Sequence, residues 1–514
     1  MNKRFFETNR YKFFKSGALL TLVTLSMRTV AMLFGAYVTR AVGAEGIGLY
    51  TVVTTVYAFA VTLATSGISL TVTRLVASAI GEGREENVGN VLRGSLAYSL
   101  AFGLLSTLLL FFGADIIGTK ILADSRSVIS LKILAFSLLP AALCGLLSGY
   151  FIGVKRVGFN AAVQVLSQAV KILLTVLLIA KTSHRGVEGA VFGLCLGITL
   201  TELCALILIY IGFAVDRRMH KKRGGERRAA IVPVARMAIP LALSAYVRSV
   251  LLTVEHILIP KRLRDGGESS EEAYSHYGTL HGMAIPIVMY PMSPLSSFAG
   301  LLVPEFAADQ SGGNTERMNR IASEAMNTTL LYASVSSVVL WFFSEELGYS
   351  LYHSYDAGYY VAILALVVPI MYLDHVTDAM LKGIGEQVYS MWVNISDSLL
   401  SVLLVWILIP RMGILGYAVV IVVMEGYNFL MSVIRLSKRV KFSIRPIKAL
   451  LLPFILTFIS SLVADTLFRF GGSGISALWL FMKILFTLCI LVALYTLVTT
   501  AVGCRAKERA ASAN

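Results

Sequence analysis

Apolar runs long enough to cross a bilayer follow one another along this 514-residue chain with barely a soluble gap between them. A spanning helix needs about 20 mostly apolar residues. Fourteen such runs can be marked, at roughly 16–41, 47–79, 88–113, 128–153, 159–181, 186–215, 231–259, 276–304, 319–344, 357–382, 387–410, 413–436, 446–468 and 475–502. The least regular are 231–259 and 276–304, flecked by Arg236, Arg248, Glu255 and His281. Apolar residues make up 56% of the chain and charged residues 15%, whereas a soluble domain is roughly 25% charged. The pattern predicts an all-α polytopic membrane protein with about 14 transmembrane helices.

The formal charge of +15 would suit nucleic acid, but the basic residues sort by side of the membrane. With the N-terminus inside, 28 of the 45 Lys and Arg fall on the inner side and ten on the outer. That is the positive-inside bias. It predicts a multi-pass protein of the cytoplasmic membrane with both termini cytoplasmic, and membrane lipids, not nucleic acid, as the partner of the charge. The basic start MNKRFFETNRYKFFK leads into a run too long for a signal h-region, without a convincing small-residue cleavage site. It reads as the cytoplasmic start of the first helix.

The segment DRRMHKKRGGERR at 216–228 is the strongest soluble punctuation. It divides the chain into a six-helix bundle over 1–215, a basic cytoplasmic linker at 216–230 and a second six-helix bundle over 231–437. Two extra helices and a cytoplasmic tail follow over 438–514. The linker suits either an anchor on anionic headgroups or a regulatory partner site. A weak internal repeat supports a boundary here. Arg28-Thr29-Val30 aligns with Arg248-Ser249-Val250, and Ser66 through Val76 resembles Ser293 through Val303. Six spans separate each pair, so the halves would be pseudo-symmetric parallel repeats about an axis along the membrane normal.

Gly145, Gly149 and Gly153 recur every fourth residue, as do Gly189, Gly193 and Gly197. This spacing predicts smooth strips for close helix packing. Pro240, Pro286, Pro291, Pro294 and Pro369 interrupt spans of the second half, and broken helices are tolerated where they line a cavity. The five cysteines, Cys144, Cys195, Cys204, Cys489 and Cys504, show no metal-ligand spacing and are odd in number; they read as packing residues. There is no phosphate loop ending in Lys-Ser/Thr, no HExxH helix and no nucleophile elbow. The expectation is a transporter rather than an enzyme, without nucleotide, metal or other cofactor, driven by a gradient or a potential. The sequons at Asn327 and Asn394 fall within spans.

Seven basic residues remain inside spans: Arg28, Arg74, Lys132, Lys171, Arg236, Arg248 and Lys483. An arginine at the centre of a spanning helix costs about 2.5–3.5 kcal/mol on insertion scales, so it should face a wet cavity or a partner. Arg28 and Arg248 sit mid-span and are the leading candidates to bind an anion. Arg74, nearer an end, fits either that role or snorkelling to the interface. Arginine suits phosphate because its planar fork donates bidentate hydrogen bonds and stays charged. Glu255 lies seven residues after Arg248, on the same face by helical geometry; it reads as a counter-ion, a proton or cation site, or a structural ion pair. Asp374, Asp378 and Lys382 are spaced four apart and can pair in sequence. They form either a helix-end charge ladder or an ion-coupling or gating site, with His375 beside them. Glu202 and Glu425 are further buried carboxylate candidates, and Asp397 has no evident place.

Several stretches carry a family resemblance: RAVGAEGIGLY from Arg40 to Tyr50, Ser66 through Val76, GYFIG from Gly149 to Gly153, LVPE from Leu302 to Glu305, and Tyr372 to Gln387 ending in LKGIGEQ. With them the chain resembles the polysaccharide-export branch of the multidrug/oligosaccharidyl-lipid/polysaccharide (MOP) exporter superfamily, in particular its sporulation-protein group. The resemblance implies two six-helix bundles around a central cavity and two extra helices. It also implies flipping of an undecaprenyl-pyrophosphate-linked saccharide from the inner to the outer leaflet by alternating access. The related lipid II flippases carry cavity arginines in their early helices, where Arg28 and Arg74 fall at matching positions, and Arg248 adds a charge from the second half. They also use a cation site involving the seventh helix, for which Glu255 is the nearest candidate, although the surrounding pattern departs from theirs. Polyprenyl-pyrophosphate-linked saccharide, membrane lipids and envelope-synthesis enzymes are the implied partners. Two alternatives stay open: a cation-coupled multidrug antiporter of the same fold, and a non-transporting scaffold of an envelope-synthesis complex.

Overall fold

In hydrocarbon every backbone amide and carbonyl must be satisfied within its own segment, and the chain meets that requirement with helices; no strand occurs among the described residues. The computed structural model describes residues 3–65, 67–82, 84, 86–219, 230–469 and 477–511, with side chains other than those of 3–25, 157, 217–219, 240, 241, 244, 469, 499 and 501–511. The basic segment 220–229, the side chain of Pro240, Ser66 and the side chain of Cys504 therefore lie outside the described residues.

The first helices are α1 (Lys3–Thr65), α2 (Ile68–Gly81), α3 (Asn87–Ile116), α4 (Arg126–Gly153), α5 (Val157–Thr182), α6 (Gly186–Met219) and α7 (Ile231–Asp265). They are followed by α8 (Ser270–Tyr277), α9 (Ile285–Met289), α10 (Met292–Ser311), α11 (Thr315–Phe342), α12 (Ser344–Tyr352) and α13 (Tyr355–Ala365). The last are α14 (Val368–Gly383), α15 (Gln387–Met412), α16 (Ile414–Ser437), α17 (Leu452–Arg469) and α18 (Ala477–Ala511). Among the described residues nine helical stretches are long and apolar enough to cross a membrane, or eleven if each of two bent pairs counts as one span. That is fewer than fourteen. Two of the stretches, Ser26–Gly81 at 56 residues and Gly158–Asp216 at 59, are each more than twice the roughly 20 residues of one span. A break at Gly43 (φ 81°, ψ 171°) divides the first, and Gly186 at φ 75° divides the second. The 35-residue α7 stays outside the count.

The helices group into two compact units. One comprises Ala41–Gly278 with Val402–Gly413, the other Met1–Arg40, Thr279–Ser401 and Ile414–Asn514. These do not follow the boundaries expected from the linker. The opening of α1 belongs with the later helices, and α7 belongs with the earlier ones.

In the unit built on Ala41–Gly278, the core gathers Ile68, Val72, Leu147, Phe151, Val234 and Ala238. Lipid is as apolar as leucine, so close packing and interhelical hydrogen bonds must hold the helices. The glycine strip of α4 provides the first. A Cβ on Gly149 would stand 2.5 Å from the carbonyl oxygen of Ser69, and one on Gly153 3.0 Å from Val76 Cβ. Thr73 Oγ1 provides the second, donating to the Gly149 carbonyl at 3.1 Å. On α6, Gly197 similarly approaches Thr175 of α5, where a Cβ would meet Oγ1 at 2.9 Å.

The other unit contains the breaks that the prolines predicted. The helix ending at Met289 and the one beginning at Met292 meet at 60°, and α13 and α14 meet at 59°, with Pro369 in the first turn of α14. Side chains satisfy the carbonyls freed there. Tyr332 Oη donates to Pro291 O at 2.6 Å, and Ser337 Oγ donates to Ala365 O at 2.7 Å. The last two helices belong to this unit through Lys483 of α18, whose Nζ lies 2.6 Å from both Glu346 of α12 and Asp465 of α17.

Candidate functional site

The charged residues within spans fall in both units. In the unit that contains Arg28, the break after Met289 sets the local geometry. The Ser293 amide turns to Tyr290 O at 3.2 Å instead of reaching back four residues. That leaves the Met289 carbonyl without its helical donor, and Arg28 Nη1 donates to it at 3.4 Å. Thr29 Oγ1 and Tyr290 Oη make a second link at 2.8 Å. Arg28 is otherwise exposed, and among the described residues no carboxylate pairs with it. His375 of α14 lies within electrostatic reach of Arg28, Asp378 and Lys382.

On α14 the expected ladder is half formed. Lys382 Nζ pairs with Asp378 at 2.5 Å, and Ser390 Oγ of α15 donates to the same carboxylate. Asp374 stands apart from that pair, close to Ser432 of α16, and its Oδ1 is buried without a hydrogen-bond partner among the described residues. The reason is position: one turn further from the helix end, Asp374 faces α16 rather than the turn after α14. There it joins two carboxylates the sequence could not place together. Glu425 of α16 lies close enough to feel the charges of both Asp374 and Asp397 of α15. Among the described residues no three His, Cys, Asp or Glu side chains gather tightly enough to hold a metal ion.

In the other unit, Arg74 on α2 and Arg248 on α7 are both exposed, and among the described residues neither makes a hydrogen bond or ion pair. Ser249, next to Arg248, donates to Thr62 Oγ1 at 3.4 Å, which fixes α7 beside α1 at this level. Glu255 is only 9% exposed and is an engaged carboxylate, not a free one. Arg248 and Glu255 share an azimuth on α7, yet one is open and the other covered. His256, the next residue, pairs with Tyr277 of α8 at 2.8 Å.

Sequence reasoning did not bring out the grouping of Asp397 and Glu425 with Asp374, nor the Glu346–Lys483–Asp465 triad. A charged residue inside an apolar run was the available signal for each. What it lacked was the partner, which lies on another helix.

Comparisons with known proteins agree with this architecture. Residues 13–310 match the family model described as polysaccharide biosynthesis protein, and residues 280–407 match MatE. The chain is 25% identical over 474 residues to stage V sporulation protein B of Bacillus subtilis, covering 90% of this chain and 91% of that protein. It is 21% identical over 411 residues to lipid II flippase MurJ of Bacillus subtilis, with 74% of each chain covered. Among solved structures it is similar to lipid II flippase MurJ in an inward closed conformation, with a TM-score of 0.68 and 14% identity, covering 94% of this chain and 99% of that one. It is also similar to an inward-facing multidrug resistance MATE family transporter of the MOP superfamily, with a TM-score of 0.64 and 19% identity, covering 82% and 98%. At such identities the likeness to the solved structures concerns the fold.

Proposed function

The chain belongs to the polysaccharide biosynthesis protein family of the MOP exporter superfamily, and on that premise we propose that it flips a polyprenyl-pyrophosphate-linked saccharide from the inner to the outer leaflet of the cytoplasmic membrane, with both termini cytoplasmic. The observation that carries the reading is the state of Arg28, Arg74 and Arg248. All three are exposed on long, largely apolar helices, and among the described residues none is neutralised by a carboxylate. Guanidinium groups kept charged in a membrane segment without an acidic partner suit a substrate that brings its own negative charge. A pyrophosphate supplies it, while the polyprenyl tail stays in lipid.

Arg28 and Arg248 are the principal phosphate ligands in this proposal, and Arg74 either joins them or anchors at the interface. Asp374, with Asp397 and Glu425 nearby, is the place for coupling to a proton or cation. Asp378, held by Lys382 and Ser390, and the buried Glu255 act as gating or positioning residues. Purified protein in proteoliposomes, assayed for flipping of a polyprenyl-pyrophosphate-linked sugar, tests the reading. Arg28→Ala and Arg248→Ala should each cut the rate about tenfold or more, the loss of one charge-assisted contact of roughly 1.5–3 kcal/mol. Undiminished flipping in the double variant would sink it.

A second reading is favoured by the MatE match over residues 280–407 together with the carboxylates around Asp374. In it the chain is a cation-coupled multidrug antiporter. Increased resistance of expressing cells to cationic drugs, lost in Asp374→Asn, would support that reading over the first.

A further inference from the structure

A polar cavity of about 380 Å³ lies inside the unit built on Ala41–Gly278, among α2, α4, α5 and α6. It involves none of the three arginines. Helix α5 contributes Gln164, Ser167, Gln168 and Lys171 to its wall, one helical face turned inward. Ser148 of α4, with Thr201 and Glu202 of α6, contributes polar groups from the neighbouring helices. Such side chains are expensive within a membrane bundle and are kept there when they contact something polar. Two facts indicate that they are not all used up by the protein itself. Ser167 Oγ is buried without a hydrogen-bond partner. Lys171 and Glu202 act on each other's charge through space, yet among the described residues no direct ion pair joins them.

We infer that this cavity binds an uncharged sugar ring. Lys171 and Glu202 set a base and an acid in one wall, so an anion or a cation would gain from one and lose to the other. A neutral group rich in hydroxyls gains from both, because a hydroxyl donates to the carboxyl oxygens and accepts from the lysine N–H in either protonation state. The amides of Gln164 and Gln168, four residues apart on one face of α5, can each donate and accept. Val163, Ala205 and Ile209 add an apolar surface against which the C–H face of a ring can lie. The volume falls in the lower part of the roughly 300–1,000 Å³ typical of small-molecule sites, enough for a sugar and too small for a whole lipid-linked oligosaccharide. The inference rests on the flippase reading and names the part of the substrate held here. The ring could belong to the lipid-linked substrate or to a free sugar.

Cys144 of α4 lines the same cavity and provides a test independent of flipping. Wild-type protein in proteoliposomes is alkylated with N-ethylmaleimide, and the rate at Cys144 is followed by peptide mass spectrometry. Cys204, a half-buried thiol outside the lining, serves as the internal reference. N-acetylglucosamine should slow modification of Cys144 at least threefold relative to Cys204, whereas glycerol at equal concentration should not. Undecaprenyl-pyrophosphate-linked N-acetylglucosamine should protect at far lower concentration if the ring comes from the lipid-linked substrate, and no better than the free sugar if it does not. Undecaprenyl phosphate should leave the rate unchanged. Gln164→Ala/Gln168→Ala should abolish sugar protection while retaining helical content by circular dichroism. The inference is overturned if Cys144 reacts but neither sugar protects it, if undecaprenyl phosphate protects equally, or if Cys144 is inert in the folded protein. Loss of flipping in the arginine variants with intact protection, or the reverse, separates the two proposals.

Discussion

Arg28 Nη1 donates to the carbonyl oxygen of Met289 at 3.4 Å, at the point where the helix breaks before Pro291. The bond is at the long limit for N–H···O contacts and uses one of the five N–H groups of the guanidinium. The remaining donors have no protein acceptor among the described residues. A structural clamp would use the fork more fully.

From that relationship, Arg28→Ala should barely change stability, within about 0.5 kcal/mol as for other exposed positions, while flipping falls about tenfold or more. Arg28→Lys should give an intermediate rate, because lysine keeps the charge and loses the planar fork. Thermal unfolding in detergent and proteoliposome flipping, measured on the same preparations, check this. A large drop in unfolding temperature with flipping unchanged would assign Arg28 to structure instead.

The α4 glycine strip should divide sharply under substitution. At Gly149 an added Cβ would meet the Ser69 carbonyl oxygen at 2.5 Å and Val72 Cβ at 3.0 Å. Neither can withdraw without moving α2, so Gly149→Ala should cost about 1–3 kcal/mol, as overpacking does. At Gly145 the nearest atom is Ile68 Cγ2 at 3.6 Å, an ordinary contact. Gly145→Ala should be neutral or slightly stabilising, since alanine gains about 0.8–1 kcal/mol over glycine inside a helix. Equal effects at the two positions in reversible unfolding would contradict the packing described.

Lys483 is 5% exposed between Glu346 and Asp465. Removing the cation leaves two acidic groups facing each other, and breaking a buried pair costs about 3–5 kcal/mol. Lys483→Met should therefore strongly destabilise the attachment of α17 and α18. The triple change Glu346→Gln, Asp465→Asn, Lys483→Met should recover most of the loss. Limited proteolysis and unfolding temperature provide the readouts, and failure of the triple variant to recover would point to a role beyond charge neutralisation.

The architecture was legible because a membrane span depends on about 20 consecutive residues, a local property. The breaks were legible for the same reason: Pro291 and Pro369 act on their own backbone. The arginines could be nominated because a charge is conspicuous in an apolar run. What stayed hidden was every relation set by a second helix. Asp374 is spaced to share a helix face with Asp378 and Lys382, yet the approach of α16 gives it Ser432 and Glu425 as neighbours. Glu255 has the azimuth of Arg248 but is buried. The linker at 216–228 predicted two bundles split in chain order, whereas the opening of α1 and the whole of α7 each belong to the opposite unit. A loop marks where the chain leaves the membrane and carries no information about which helices then pack together.

The turn after α14 should confer acid sensitivity. Arg435 Nη2 donates to both oxygens of Glu386, at 3.0 and 2.8 Å, and Arg439 Nε donates to one of them at 3.2 Å. These hydrogen bonds and charges, Arg435 foremost, hold the Glu386 carboxyl below its ordinary value. A group whose value is depressed on folding stabilises the fold above its unfolded value, near 4.3 for glutamate. That contribution disappears as pH falls through the lower, folded value. Glu386→Gln removes it at every pH. The wild type should thus unfold at a higher temperature than the Gln variant by a constant margin from about pH 5.5 upward. The margin should shrink below the ordinary glutamate range and close in stronger acid, where the wild-type carboxyl is neutral as well. Raised salt should narrow it at neutral pH, because Arg439 is 60% exposed and screened by ions. A margin that persists undiminished at pH 3, or one absent at pH 7, would show that Arg435 and Glu386 do not interact in the folded protein as described.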